Sequence, residues 1–179
     1  MRGMYPVFRL AGQALKFRKS EPLDLFDTHV SHHVCWPHDL DVWVELNNGR
    51  TLTLYDLGRL VLFQRIGMVK LMRDNGWAGT VAGASIRYRR RVRAFHKIEM
   101  RSRVIGWDDK FFYLAQSMWR NGDCTSQVLL RTAVTSKAGI VSPAEVTRAA
   151  GMSPDSPDLP GWVQAWIAAE AERPWPPEG

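Results

Sequence analysis

The hydrophobic period of this chain changes once, near residue 79, and that change restricts its possible folds more than any other feature. Before it, Leu54, Leu57, Gly58, Val61, Leu62, Ile66 and Val69 recur at helical spacing. The spacing predicts one helix from about Thr53 to Asn75. Thr53 and Asp56 form a capping-box variant, Lys70 and Arg73 suit the last turns, and Gly76 suits the position just past the end. Such a helix spans about 33 Å.

After residue 79 the apolar residues alternate, and strands are expected at about 80–92, 96–107, 111–120 and 124–136. Asn121-Gly122 is a hairpin signal, and Trp107-Asp108-Asp109-Lys110 is a second turn. Consecutive long strands with short turns require antiparallel pairing. A further strand over 27–36 precedes the helix and stops at Pro37, with Val30, His32, Val34 and Trp36 on one face. One long sheet and one long amphipathic helix must bury their apolar faces against each other, so the fold class is α+β.

Three units are expected. Residues 1–26 form a basic N-terminal arm, 27–142 the α+β domain, and 143–179 small helices and a tail. Ser142-Pro143 with Glu145 starts a short helix. Residues 152–160 read as a linker, followed by an apolar helical stripe of Leu159, Trp162, Val163, Trp166 and Ile167. In the arm, Phe8, Leu10, Leu15 and Phe17 line one side of a short basic helix. That side suits packing on its own protein or a partner subunit, or weak contact with a membrane surface.

The formal net charge of +6 favours an anionic partner, such as nucleic acid, phospholipid or a phosphorylated small molecule. Coenzyme A is one such molecule. Cys35 and Cys124 form no C-x-x-C pair, so two free thiols and a cytoplasmic location are expected. No stretch has the apolar length of a membrane span. A P-loop, a G-x-G-x-x-G run and a G-x-S-x-G elbow are all absent, which argues against nucleotide hydrolysis, hydride transfer and serine-hydrolase chemistry.

The segment Asp39-Leu40-Asp41-Val42-Trp43-Val44-Glu45-Leu46-Asn47-Asn48-Gly49-Arg50 packs three carboxylates and two amides just before the helix. It resembles the branch of the 4-hydroxybenzoyl-CoA thioesterase family that carries D-x-D-x-x-x-H-[VM]-N-N. Tyr55-Asp56-Leu57-Gly58-Arg59 and Gly106-Trp107-Asp108-Asp109-Lys110-Phe111-Phe112-Tyr113-Leu114 are similar to the same branch, so the resemblance runs over about residues 27–140.

The resemblance implies a hot-dog fold, a long antiparallel sheet wrapped around a central helix. It implies thioester hydrolysis, with an acyl-CoA as the expected substrate and no cofactor. Asp41 matches the catalytic carboxylate and acts as nucleophile or as general base for a water. Glu45 stands where the family commonly has His, so a hydrogen-bond donor is lost there. Glu45 then orients a water or raises the Asp41 pKa, or the protein binds acyl groups without turning them over. Asn47 and Asn48 shape the loop that presents Asp41, and the acyl chain is expected beside the helix at Leu57 and Val61. The resemblance also implies pairing through the sheets, with the site expected at a homodimer interface in a homodimer or homotetramer.

Arg87, Arg89, Arg91 and Arg93 alternate on the first strand after the helix. They read as a solvated edge or, for Arg87 and Arg89, as contacts to CoA phosphates. Nucleic acid is disfavoured, because Tyr88 falls on the opposite face from those arginines. His29, His33 and Cys35 share a strand face, but alternate strand positions are wide for a tetrahedral metal, and no metal is expected.

Overall fold

A computed structural model of the protein describes residues 6–177. Its elements are α1 (Val7–Lys16), β1 (His29–Val34), α2 (Asn48–Arg65), α3 (Met68–Asp74), β2 (Ala78–Tyr88), β3 (Lys97–Trp107), β4 (Phe112–Arg120), β5 (Asp123–Ser136), β6 (Gly139–Val141), α4 (Pro143–Ala149) and α5 (Gly161–Glu172). The sheet runs β1-β3-β4-β5-β2 with β6 beside β5, and every pairing is antiparallel. Register shifts at Val81/Gly83, Val104/Gly106 and Met118/Trp119 bend the strands. The sheet curls around α2, as the hot-dog expectation requires.

The helix differs from its expected form at both ends. It starts at Asn48, because the Asn47 side chain accepts from the Arg50 amide and caps it. It ends at Arg65, because Gly67 takes a left-handed φ of 76° and separates α2 from α3. The apolar spacing continues across that break, so periodicity alone did not reveal it. On β1 the buried side chains are His29, Ser31 and His33, while Val30 and His32 face outward.

One face of α2 is buried, carrying Thr51, Leu54, Tyr55, Leu57, Gly58, Val61 and Leu62. Gly58 allows close approach to β3. A β-carbon there would lie 2.6 Å from Met100 Sδ and 2.8 Å from Ser102 Oγ. The buried Gln116 amide ties β4 to the same helix, donating to the Tyr55 carbonyl at 2.9 Å and to Ser102 Oγ at 2.8 Å. Gly58→Ala is therefore expected to cost about 1–3 kcal/mol, because overpacking outweighs the better helix propensity of Ala. Urea unfolding checks this, and a stabilised variant would contradict the packing described.

The opposite face of the sheet is covered in part by α5, with Val163 packed on Tyr113 and Leu129. The segment before α5 crosses β3 at Gly106, where a β-carbon would meet Leu159 Cδ2 and Ser156 Oγ at 2.8 Å. Ser156 Oγ and the Pro154 carbonyl accept from the Trp107 amide and indole.

Candidate functional site

Beyond β1 the chain stays against the loop that precedes β3. The Cys35 amide donates to the His96 carbonyl, and the Phe95 amide donates to the Cys35 carbonyl. Pro37–Asp39 then forms one 3-10 turn. Asp39 is fully buried, and its carboxylate accepts from the Trp36 amide at 2.9 Å, Arg9 Nη1 at 2.8 Å and Arg50 Nε at 2.8 Å. Burial pushes this carboxyl up, but the hydrogen bonds from Trp36, Arg50 and Arg9 outweigh it and hold Asp39 below the usual carboxylate range. Asp39 is thus the anchor of the motif, joining α1, the loop and the start of α2.

Leu40 and Leu46 bridge antiparallel, and residues 41–45 form the tip between them. The Asp41 amide donates to the Glu45 carbonyl at 2.8 Å, and Asp41 Oδ1 accepts from the Trp43 amide at 2.9 Å. Asp41 is half-buried. Val42, Trp43 and Val44 at the tip are all exposed, Trp43 to 78%. Val44 holds a φ of 60°, which closes the turn.

Behind the tip lies a cleft of about 230 Å³. Glu45, Asn48, Tyr88 and Arg89–Arg91 are among its lining residues. Asp41 is not one of them but stands beside Glu45 on the same short loop. Arg91 Nε pairs with Glu45 Oε2 at 2.9 Å across this cleft, and the Tyr88 hydroxyl donates to the Asn48 carbonyl at 3.2 Å. The first amides of α2, those of Asn48 and Gly49, have no intrahelical acceptor by helix geometry. They carry the positive end of the helix dipole toward the loop.

Several expected site residues fall elsewhere. Leu57 and Val61 are fully packed beneath the helix and line neither this cleft nor the apolar cavity described next. That cavity, also about 230 Å³, lies toward the far end of α2. It is lined by Leu60, Phe63 and Ile66, with Met68, Met72 and Val81 opposite. Residues 57 and 61 turn inward to the sheet, whereas 60 and 63 turn toward the cavity. The alternating arginine strand is also corrected. β2 ends at Tyr88, because the Arg89 and Arg90 amides both turn to the Thr125 carbonyl. Arg87 is therefore on the strand, while Arg89, Arg91 and Arg93 belong to the following loop. Asn47 caps α2 as a loop-shaping residue, and Asn48 lines the cleft.

Tyr88, Arg91 and the two helix amides were not singled out as parts of the site from the sequence. The opposite charges of Glu45 and Arg91 were the available signal, but their separation along the chain hid it.

The buried histidines of β1 sit apart from this cleft. The Arg65 guanidinium can only donate, so His29 Nδ1, at 3.2 Å from it, is the acceptor and Nε2 carries the proton. That Nε2 is buried without a partner. His33 Nε2 is 2.9 Å from Ser31 Oγ. Burial, then Arg65, lowers His29 to about 4, and burial, then Arg9, lowers His33 to about 3. Among the described residues no group of three His, Cys, Asp or Glu side chains is placed to hold a metal.

Both histidines are neutral when folded and take up protons more readily when unfolded. Their contribution is complete above pH 6.5 and is lost as pH falls toward the folded values. Below pH 6.5 stability is expected to fall by up to about 1.4 kcal/mol per pH unit for each histidine, until the folded values are reached. His29→Gln should flatten that slope in thermal melts. A wild-type curve with no slope in this interval would contradict the burial account.

The model of the thioesterase-like superfamily matches residues 35–167. Protein THEM6 of Xenopus laevis is 34% identical over 148 residues, covering 80% of this chain and 69% of that protein. Protein THEM6 of Drosophila melanogaster is 27% identical over 146 residues, covering 80% and 74%. Among solved structures, YbaW probable thioesterase from Escherichia coli superposes with a TM-score of 0.64 at 18% identity, covering 68% of this chain and 96% of that one. DHNA-CoA thioesterase from Staphylococcus aureus superposes at 0.57 with 12% identity, covering 80% and 91%. These two likenesses share the curled sheet around a helix. With its fold, its D-x-D loop and the match over residues 35–167, the chain belongs to the thioesterase-like superfamily.

Proposed function

We propose that the protein hydrolyses an acyl-CoA thioester to a carboxylate and free coenzyme A, with Asp41 as nucleophile or general base. One observation carries this reading. The Asp39 anchor sets the Asp41 loop beside the N-terminus of α2, next to a cleft rimmed by arginines. A carboxylate, two helix amides without an intrahelical acceptor and a basic rim are what a thioester of a phosphorylated carrier requires. The Asn48 and Gly49 amides would stabilise the developing oxyanion. Arg89 and Arg90 would take the CoA phosphates. Arg91, paired with Glu45, would hold that carboxylate away from Asp41 and limit the like-charge effect.

The acyl chain finds its space in a homodimer. β2 ends the sheet order, so among the described residues its outer edge has no strand beside it. Two-fold pairing of β2 with a second copy would bring the Tyr88 end of one protomer against the Ala78 end of its partner. The first end holds the arginine cleft, and the second borders the apolar cavity at Gly79–Val81. The Asp41 loop of one subunit would then serve the cavity of the other.

The rival reading is an acyl-CoA-binding protein without turnover. It is favoured by Glu45 in place of the family His. Measuring CoA thiol release and CoA-ester binding on the same sample separates the two. Turnover supports hydrolysis, and saturable binding with no thiol release supports the rival.

A further inference from the structure

The N-terminal helix α1 carries a feature that thioester chemistry does not use. Its inner face is fixed: Arg9 pairs with Asp39 and donates to the Val34 carbonyl at 2.8 Å, and Leu10 packs on the core. Phe17, just past the helix, meets the His29 ring edge-on at 4.6 Å. Among the described residues nothing covers the outer face. Val7, Phe8, Ala11 and Leu15 lie along it at helical spacing, with Phe8 exposed to 85% and Leu15 to 67%. Exposed Lys16, Arg18 and Lys19 follow at its end. The first 20 residues of the sequence hold five Lys and Arg and no Asp or Glu.

From this face we infer that α1 is a preformed docking helix for an anionic lipid surface. An apolar stripe would enter the headgroup boundary, and the cations at its end would meet lipid phosphates. The charge argues for this occupant. A second copy of the same face would oppose like charges, whereas an anionic bilayer complements them. A ten-residue helix is marginal alone in water, but Arg9 and Leu10 hold this one folded in advance, so docking carries no helix-forming cost. An amphipathic helix of this length lies in the plane of the interface, and no helix among the described residues is long and apolar enough to cross a membrane. The inference is independent of the role of Asp41.

The test is co-sedimentation of the full chain with vesicles of phosphatidylcholine alone or mixed with phosphatidylglycerol. The expected result is binding to the mixed vesicles only, reduced by high salt. The double variant Phe8→Ser/Leu15→Ser should weaken it at least about tenfold. Lys16→Glu/Lys19→Glu should weaken it similarly, with thermal melting unchanged because all four side chains are exposed. No binding, equal binding to both vesicle types, or binding unaltered by either double variant would overturn the proposal. So would a loss of oligomer mass in Phe8→Ser/Leu15→Ser, which would make a second copy the occupant.

Discussion

Asp41→Asn should lower kcat for acyl-CoA hydrolysis by about 100- to 10,000-fold, the range expected when a single acid–base group is removed. Removing a nucleophile would place the loss at the upper end or beyond. The substitution is informative because it changes little else. Asp41 Oδ1 accepts from the Trp43 amide, and an Asn side-chain oxygen accepts the same bond. The turn that carries residues 42–44 is therefore retained. The CoA moiety is proposed to bind at Arg89 and Arg90, so KM should change much less than kcat. An Asp41→Asn protein with undiminished turnover would remove Asp41 from the chemistry while leaving the fold untouched.

The second large effect is on stability. Asp39→Ala should cost about 3–5 kcal/mol, the range for removing one member of a buried charged cluster. The carboxylate is fully buried and offsets the guanidiniums of Arg9 and Arg50 at once. It also satisfies the Trp36 amide. Its loss should loosen α1, which hangs on Arg9, and the start of α2, which hangs on Arg50. Asp39→Asn keeps one acceptor for the Trp36 amide but removes the charge, so its cost should be smaller. Urea unfolding midpoints give the ranking, and limited proteolysis near α1 gives the location. Equal stability of Asp39→Ala and wild type would show that the anchor is unimportant. Both aspartates stand in one motif, yet the two substitutions should separate cleanly, one reporting chemistry and the other folding.

That separation also shows what the sequence could disclose. Strands β3 to β5 were legible to within about two residues, because their apolar residues alternate and Asn121-Gly122 marks one of their turns. The end of β2 was not, since Arg89 to Arg93 prolong the alternation while the Arg89 and Arg90 amides leave the ladder for the Thr125 carbonyl. The start of α2 was misplaced because Asn47, Asn48 and Gly49 spell a turn as readily as a cap. Gly67 was hidden because Ile66 and Val69 keep the helical spacing on either side of the break.

At the site, local pattern alone marked Asp41 only as one of three carboxylates just before the helix. The family resemblance supplied the catalytic role proposed for Asp41. The amides of Asn48 and Gly49 belong to the backbone and have no letter. Leu57 and Val61 were legible as buried residues, but the cavity is lined by their neighbours Leu60 and Phe63, a distinction set by which side of α2 packs on the sheet and which borders the cavity.

The central claim is that this chain turns over acyl-CoA. Its most direct test is thiol release by the purified wild-type protein against acyl-CoA esters of increasing chain length. The account predicts release well above the uncatalysed rate, with a preference among chain lengths set by the apolar cavity. Binding of the same esters without any thiol release across the whole series would contradict it.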